Sequence, residues 1–238
     1  MDKIKSGVNG FDELFDGGLP RGSNTLIFGR AGSGKTLLSL EFIFRGASSF
    51  NEPGVFVSFD QTQDELIAQC DQFGWNIRKC IKDGKMTILS FKIEDVDRDF
   101  ANHVIDAVKR IKAKRLVIDN LALLTLSPLF GIDRKKFVLI YKNKIKIATN
   151  PKQLIYSLMG ILKDLPLTTL YLTVPGKGME ETDDGISEYI CDGIISLGVR
   201  SLGKSFLRTI EVKKMRRSNI RGGIHSFKFT NKGMQVEL

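Results

Sequence analysis

Eight consecutive residues, Gly29-Arg30-Ala31-Gly32-Ser33-Gly34-Lys35-Thr36, carry the spacing G-x-x-x-x-G-K-[ST]. Small residues let a backbone curl until successive N–H groups point inward, forming an anion nest at a helix N-terminus. Lys35 adds a mobile charge for outer phosphates, and the Thr36 hydroxyl is a hard oxygen suited to Mg²⁺. Leu37 carries the helix on from there. A chance glycine-rich turn with a solvated lysine would spell the same letters, but it would not explain an apolar run just before the loop and a helical pattern just after it. The loop predicts a nucleotide site. A second group points to the same chemistry. Arg115-Leu116-Val117-Ile118-Asp119 is an apolar run ending in a carboxylate, the pattern that holds a metal-bound water beside phosphates. Alone, such an Asp is as readily a turn or helix cap. Beside a phosphate loop it is expected to serve magnesium together with Thr36.

These groups need elements to hold them. Residues 24–28 supply the apolar strand before the loop, and residues 36–47 the helix after it. Residues 55–59 read as the next buried strand, after a turn signal at 51–54. Residues 63–73 place Leu66, Ile67, Cys70 and Phe73 on one helical face, and 86–90 is strand-like. Phe100, Val104, Val108 and Ile111 recur at three and four, which makes 97–112 a helix packed on a sheet. Leu154, Ile155, Leu158, Met159 and Leu162 mark a further helix between apolar strands at 116–119 and 168–174. The alternation predicts an α/β fold, a mostly parallel twisted sheet with helices on both faces. After Tyr189 the helical pattern stops. Residues 193–199, 205–213 and 223–230 read as strands joined by tight turns, an antiparallel C-terminal extension. No repeat or low-complexity linker is visible, so a single domain over 1–238 is expected, with a basic insertion at about 130–150.

The opening SGVNGFDELFDGGLPRG, a Gly-rich stretch with a short amphipathic helix (Phe11, Leu14, Phe15), followed by GRAGSGKT, resembles the start of KaiC-like ATPases in the RecA/RadA branch of P-loop proteins. The likeness continues in GVFVSFDQTQDEL, QFGW, GISEYICDGIISL and RTIEVKKMRRSNIRGGIHSFKFTNKG, and lapses only around residues 130–150. The resemblance implies a RecA-type core, ATP with Mg²⁺, and a ring, often hexameric, with ATP between neighbouring subunits. It implies that residues 29–36 bind the triphosphate and that Thr36 and Asp119 serve the metal. It also implies that Lys214-Met215-Arg216 is a K-x-R finger reaching the next subunit's γ-phosphate. Without the resemblance, that triplet would read as a solvated basic turn.

Departures from the pattern matter as well. Where the family pattern resembles two glutamates after Ser-Phe, this chain has Asp60-Gln61. Asp60 keeps a carboxylate with about 1 Å less reach to the attacking water, a misplacement that can cost on the order of a hundredfold in rate. Gln61 can orient a water but cannot take its proton. Val174 stands where a polar sensor is expected. Past the finger, where the family tends to carry Gly-Thr-x-His, stand Arg217-Ser218-Asn219-Ile220, in which only the Ser218 hydroxyl survives as a nucleotide contact. Binding that outlasts turnover is the expectation, with slow or absent hydrolysis.

The net charge of +9 is local. Residues 131–152 carry a net +6 and residues 201–228 a net +7, on a body that is otherwise mildly acidic. Residues 137–141 and 144–149 around Lys142-Asn143 read as a β-hairpin arm. Lys142, Lys144 and Lys146, interleaved with Phe137 and Tyr141, could contact single-stranded DNA by phosphate pairing and base stacking. A lysine-protected edge, or an arm that pairs with a neighbouring subunit, is the plainer reading of the same residues. Residues 175–187, where RecA-like recombinases place another DNA loop, hold Glu180, Glu181, Asp183 and Asp184 against Lys177. That is hostile to a polyanion and argues against strand exchange. An autokinase like the clock protein would need a second phosphate loop, and only one is present. With 42% hydrophobic and 26% charged residues, disordered and collagen-like classes are excluded. Three cysteines without C-x-x-C spacing and two histidines read as buried thiols of a cytoplasmic protein rather than a zinc site. No apolar run is long enough to span a bilayer, and no secretory signal opens the chain.

Overall fold

Strands that read as continuous apolar runs, rather than alternating ones, belong in a sheet buried on both faces. The computed structural model describes residues 2–96, 99–124, 137–141, 144–148, 151–176, 187–202 and 205–238, with the backbone alone for 137–141, 144–147, 151, 202 and 205. The chain begins with β1 (Lys3–Ile4), a 3-10 turn over Asp12–Phe15, β2 (Leu19–Pro20), β3 (Asn24–Gly29), α1 (Lys35–Ser49) and β4 (Gly54–Ser58). Next come α2 (Gln63–Asp71), α3 (Ile77–Lys82), β5 (Met86–Ser90), α4 (Phe100–Arg110), β6 (Arg115–Asp119) and α5 (Leu121–Leu124). Then follow β7 (Phe137–Tyr141), β8 (Lys144–Ala148), α6 (Pro151–Lys163), β9 (Thr168–Thr173) and α7 (Ser187–Ile190). The last strands are β10 (Gly193–Leu202), β11 (Ser205–Met215), β12 (Ile224–Thr230) and β13 (Gly233–Glu237).

One sheet runs β13-β12-β11-β10-β3-β9-β6-β4-β5. From β10 to β5 every pairing is parallel, and from β10 to β13 every pairing is antiparallel. Alternate residues serve opposite faces. Ile27, Phe56, Val117, Leu170 and Leu172 pack with α1, α2 and α3, while Leu26, Val55, Val57, Leu116, Ile118 and Tyr171 pack with α4 and α6. The α/β class and the C-terminal antiparallel strands agree with the sequence reading. The extension, however, starts one strand later than expected. Residues 193–197 of β10 lie parallel to β3, and only the outer side of β10 pairs antiparallel with β11. The crossover before β10 holds a four-residue helix, too short to print a helical period. β13, α3 and the small β1–β2 pair were also unforeseen. β7 and β8 pair antiparallel, with Phe137 opposite Ala148 and Tyr141 opposite Lys144. The pair does not stand free, because it runs beside α4 and α6. Its turn, including Lys142, and the acidic loop at 177–186 lie outside the described residues.

A bracket ties the far edge of the sheet to α1. Glu41, 2% exposed, accepts from the Met234 backbone N–H at 2.8 Å and from Arg45 at 3.2 Å. Arg45 and the Trp75 indole N–H both donate to the Lys232 carbonyl, at 2.8 and 3.1 Å. Gly233, with φ +130°, leaves no room for a Cβ beside the Glu41 carboxylate. Burial pushes the Glu41 pKa up, against the lowering pull of the Met234 N–H and Arg45. An acid raised in the folded state contributes stability that is complete below its unfolded value of about 4.3 and is lost as pH rises through the folded value. Glu41→Gln keeps the acceptor for Met234 and cannot titrate. The melting temperature of wild type relative to Glu41→Gln is therefore expected to fall as pH rises across that window, in paired thermal melts. A pH-independent difference would show that Glu41 does not titrate there.

Candidate nucleotide-binding site

The parallel register gathers the chemistry. Phe28 lies opposite Thr173, and Ser58 opposite Asp119, so β3, β4, β6 and β9 end side by side and their following residues share one cleft. A cavity of about 500 Å³ is lined there by Ala31, Gly32, Gly34, Lys35, Thr36, Leu37, Asp60, Gln61, Gln69, Asp119, Asn120, Val174, Arg208 and Phe229.

The loop between β3 and α1 is tightly held. Gly32 and Gly34 have φ of +77° and +97°, a left-handed region that penalises any Cβ. A Cβ on Gly34 would also sit 2.6 Å from the Phe229 ring, and one on Gly29 would strike the Leu197 carbonyl oxygen. The Lys35 ammonium folds back to donate to the Gly29 and Arg30 carbonyls at 2.6 and 3.1 Å. Burial pulls its pKa down, while Asp119 and Asp60 pull it up. Thr36 Oγ1 donates to Asp119 Oδ2 at 2.7 Å. Burial pushes the Asp119 carboxyl up to about 6, against the Thr36 hydrogen bond. Ser33 Oγ is buried without a hydrogen-bond partner among the described residues. A buried ammonium satisfied only by its own loop, and a buried carboxylate already against a hydroxyl, fit an incoming anion and a hard cation respectively.

Asp60 and Gln61 sit in the four-residue link, 59–62, between β4 and α2. Ser58 Oγ donates to Asp60 Oδ1 at 3.2 Å and accepts from the Gln61 N–H at 3.0 Å. Thr62 and Glu65 then close a capping box at the start of α2, so the link has little slack. Besides Asn120, which directly follows Asp119, three cleft residues escaped the sequence reading. Arg208 on β11 stacks over Phe229 of β12 at 5.5 Å, and its Nε has no hydrogen-bond partner among the described residues. Gln69 comes from α2. Each reaches the cleft through sheet order or helix packing, and the only available signal was the alternation in RTIEVKKM, which puts Arg208 on the same face as Ile210.

The finger residues lie elsewhere in the protomer. Lys214 Nζ donates to the Cys191 and Glu188 carbonyls at 2.9 and 3.0 Å. Arg216 and Arg217 each lie 3.9 Å from Asp192. A β-bulge, where the β10–β11 register shifts between Ile194 and Ile195, re-aims the strand just before them. The Met215 side chain is buried against Gly193, which leaves its backbone as the part that could meet a nucleotide. Ser218 Oγ donates to the Phe15 carbonyl at 2.9 Å. Thus residues 29–37, Asp60 and Asp119 come together in one chain, whereas Lys214, Met215, Arg216 and Ser218 do not join them there. Lys144 and Lys146 lie on β8, whose backbone runs beside α6.

Comparison with known proteins agrees with this architecture. The family model described as "ATPase: KaiC" matches residues 4–237. The circadian clock oscillator protein KaiC of a Nostoc species is 32% identical over 247 aligned residues, covering 99% of this chain and 44% of that protein. KaiC of Synechococcus elongatus is 28% identical, covering 98% of this chain and 44% of that protein. The chain thus spans less than half the length of these relatives. The crystal structure of a KaiC-like protein from the hyperthermophilic archaeon Pyrococcus horikoshii OT3 superposes with a TM-score of 0.84 at 32% identity, covering 100% of this chain and 99% of that one. A phosphate loop between β3 and α1, a RecA-like parallel sheet and a match along nearly the whole length lead to one assignment: the chain belongs to the KaiC family of P-loop ATPases.

Proposed function

We propose that this chain binds ATP with Mg²⁺ in the cleft, hydrolyses it slowly, and uses nucleotide occupancy to switch the assembly of a homo-oligomeric ring. The observation that carries the reading is the meeting of Lys35, Thr36, Asp119 and Asp60 at the ends of adjacent parallel strands. The loop amides would receive the phosphates, and Lys35 would exchange the Gly29 and Arg30 carbonyls for the outer phosphate oxygens. Thr36 and Asp119 would hold the metal, which when bound neutralises charge on those phosphates. Asp60, steadied by Ser58, would take the proton of the attacking water. Its short side chain, the neutral Gln61 and the apolar Val174 argue for slow turnover. Lys214 and Arg216 of a neighbouring copy would complete the site in trans, supplying charge where it develops. A single domain with the hairpin as an insertion suits such a ring. Cys70, Cys80 and Cys191 are buried thiols, which suits the cytoplasm.

A second reading makes the hairpin a single-stranded DNA contact of a recombination or repair accessory protein. It is favoured by the antiparallel pairing of β7 with β8, the strand that carries Lys144 and Lys146. Single-stranded DNA affinity that falls steeply with salt, and weakens when Lys142, Lys144 and Lys146 become Ala, would support it.

Two experiments test the main reading. Lys35→Ala is expected to abolish the thermal upshift with Mg-ATP and any ATP-driven assembly in sizing experiments; assembly unchanged by that substitution refutes the switch. In phosphate release, Asp60→Ala should fall to background, and Asp60→Glu should run on the order of ten- to a hundredfold faster than wild type. A mixture of Lys35→Ala and Arg216→Ala chains, each inactive alone, should recover part of the wild-type rate if the finger acts in trans.

A further inference from the structure

The end of the sheet opposite the cleft gathers positive charge that the linear sequence disperses. Residues 77–85 carry Arg78, Lys79, Lys82 and Lys85 against Asp83, and residues 109–114 carry Lys109, Arg110, Lys112 and Lys114 with no acid. Together they hold a net +7, in a chain whose total is +9. Gly54 at the start of β4 stands between Met86 and Arg115. Its N–H donates to the Lys85 carbonyl at 3.0 Å, while the Lys114 N–H donates to the Pro53 carbonyl at 2.7 Å. Lys85 and Lys114 therefore flank one intervening strand, about 10 Å apart. Lys85 is half-buried and the other seven are exposed. None of the eight makes an ion pair among the described residues. The nearby Glu52 is engaged by Arg115 at 2.6 Å and Arg21 at 2.9 Å, and the neighbouring turn adds Lys163 and Asp164 together.

Helix ends attract cations, which accounts for Lys79, Lys82, Lys109 and Arg110 in last turns. It does not account for Lys85, Lys112 and Lys114, which lie past the helices. Nor are the helix carbonyls short of donors. Gly84 and Lys85 N–H groups reach Ile81 and Cys80 carbonyls at 3.0 and 2.9 Å, and Lys112 and Ala113 reach Lys109 and Val108 at 3.2 and 2.9 Å. These are two successive Schellman caps. The left-handed position of such a cap favours glycine, and α3 has Gly84 there with φ +67°. At the equivalent position α4 has Lys112, with φ +52°. A lysine stands where backbone geometry prefers glycine or asparagine.

We propose that this pole is a docking surface for the phosphate backbone of double-stranded nucleic acid. Like charges this close, with no ion pair among the described residues, are relieved by an extended polyanion whose counterions are released on binding. None of the large exposed hydrophobic side chains falls in the two segments. Base stacking, which single strands require, is therefore not provided, and neither is an apolar face to enter a bilayer. Lysines and arginines alone give sequence-independent backbone contact. The surface shares no residue with the cleft, the finger or the hairpin. The five residues of β6 separate Lys114 from Asp119 by about 17 Å, so a duplex and a nucleotide can be held together.

The test uses the full chain and a fluorescein-labelled 25-base-pair duplex of arbitrary sequence, titrated by anisotropy from low to physiological salt. Wild type should bind with affinity that falls steeply with salt. Replacing Lys82, Lys85 and Lys114 by Gln and Lys112 by Asn should weaken binding at least tenfold and flatten the log–log salt slope by about 3 to 4. The hairpin variant (Lys142, Lys144 and Lys146 to Ala) should leave duplex binding unchanged. Should the quadruple variant fail to fold, Lys112→Asn alone serves. It should lose duplex affinity while holding or raising the melting temperature, because asparagine suits the left-handed backbone. No duplex binding at low salt, or binding that is indifferent to the pole and lost in the hairpin variant, overturns the proposal. Equal or tighter pole-dependent binding to polyglutamate or to anionic vesicles overturns it in favour of an acidic protein or a membrane. Mg-ATP thermal shifts on the same variants keep this result separate from the nucleotide reading, since the pole variants should retain them in full.

Discussion

The register of four parallel strands is the constraint on which the site depends. β3, β4, β6 and β9 contribute a phosphate loop, Asp60, Asp119 and Val174, and none of these is near another in sequence. They meet because hydrogen-bonded neighbours such as Ser58 and Asp119 stop at the same level. A one-residue slip would send Asp119 to the other face and bury a different set of side chains. Such a slip is costly because both faces are occupied: Phe56 and Val117 belong to one packed layer and Val55 and Ile118 to the other. The core therefore fixes the chemistry without touching it.

The C-terminal strands extend the same logic to the loop itself. Phe229 presses on the space above Gly34, and Arg208 lies over Phe229. The bracket from Glu41, Arg45 and Trp75 holds the β12–β13 turn against α1, the helix that the loop initiates. One wall of the cleft is thus an antiparallel sheet edge clamped to the phosphate-binding helix. Movement of β11 and β12 cannot be independent of the loop, and β11 ends in the basic finger.

Much of this was legible before any coordinates. The phosphate loop, the strands around it and the carboxylate at the end of β6 follow from local rules: small residues where the backbone must curl, apolar runs where strands are buried twice. The two paired strands β7 and β8 were legible from the apolar alternation on either side of Lys142-Asn143. What escaped the sequence reading depends on distance. Arg208 and Phe229 enter the cleft only through the order β12-β11-β10-β3, which no local pattern encodes. The parallel pairing of β10 was hidden because the described part of its crossover carries a helix of only four residues. α3 is six residues long and α7 four, below the length at which a helical period can be counted. The TQDE capping box was present in the letters and would have sharpened the start of α2.

The position of Lys214 bears on how a nucleotide could govern assembly. In the protomer its ammonium is already satisfied by the Cys191 and Glu188 carbonyls at the end of α7, and partial burial followed by Arg216 pulls its pKa down. Moving it into a neighbour's cleft would exchange hydrogen bonds for hydrogen bonds, with little net gain from geometry alone. The gain must then come from charge that the terminal phosphate adds. A ligand shifts an equilibrium only by its differential affinity for the two states. On the proposed reading, a diphosphate leaves the finger better satisfied at home, while a triphosphate supplies the extra negative charge that makes the exchange favourable. Slow hydrolysis then lengthens the interval over which that charge persists. On that proposal, the weakened Asp60 position and the home contacts of Lys214 would be two settings of one device: the first would fix how long the assembled state lasts, the second how strongly it is preferred.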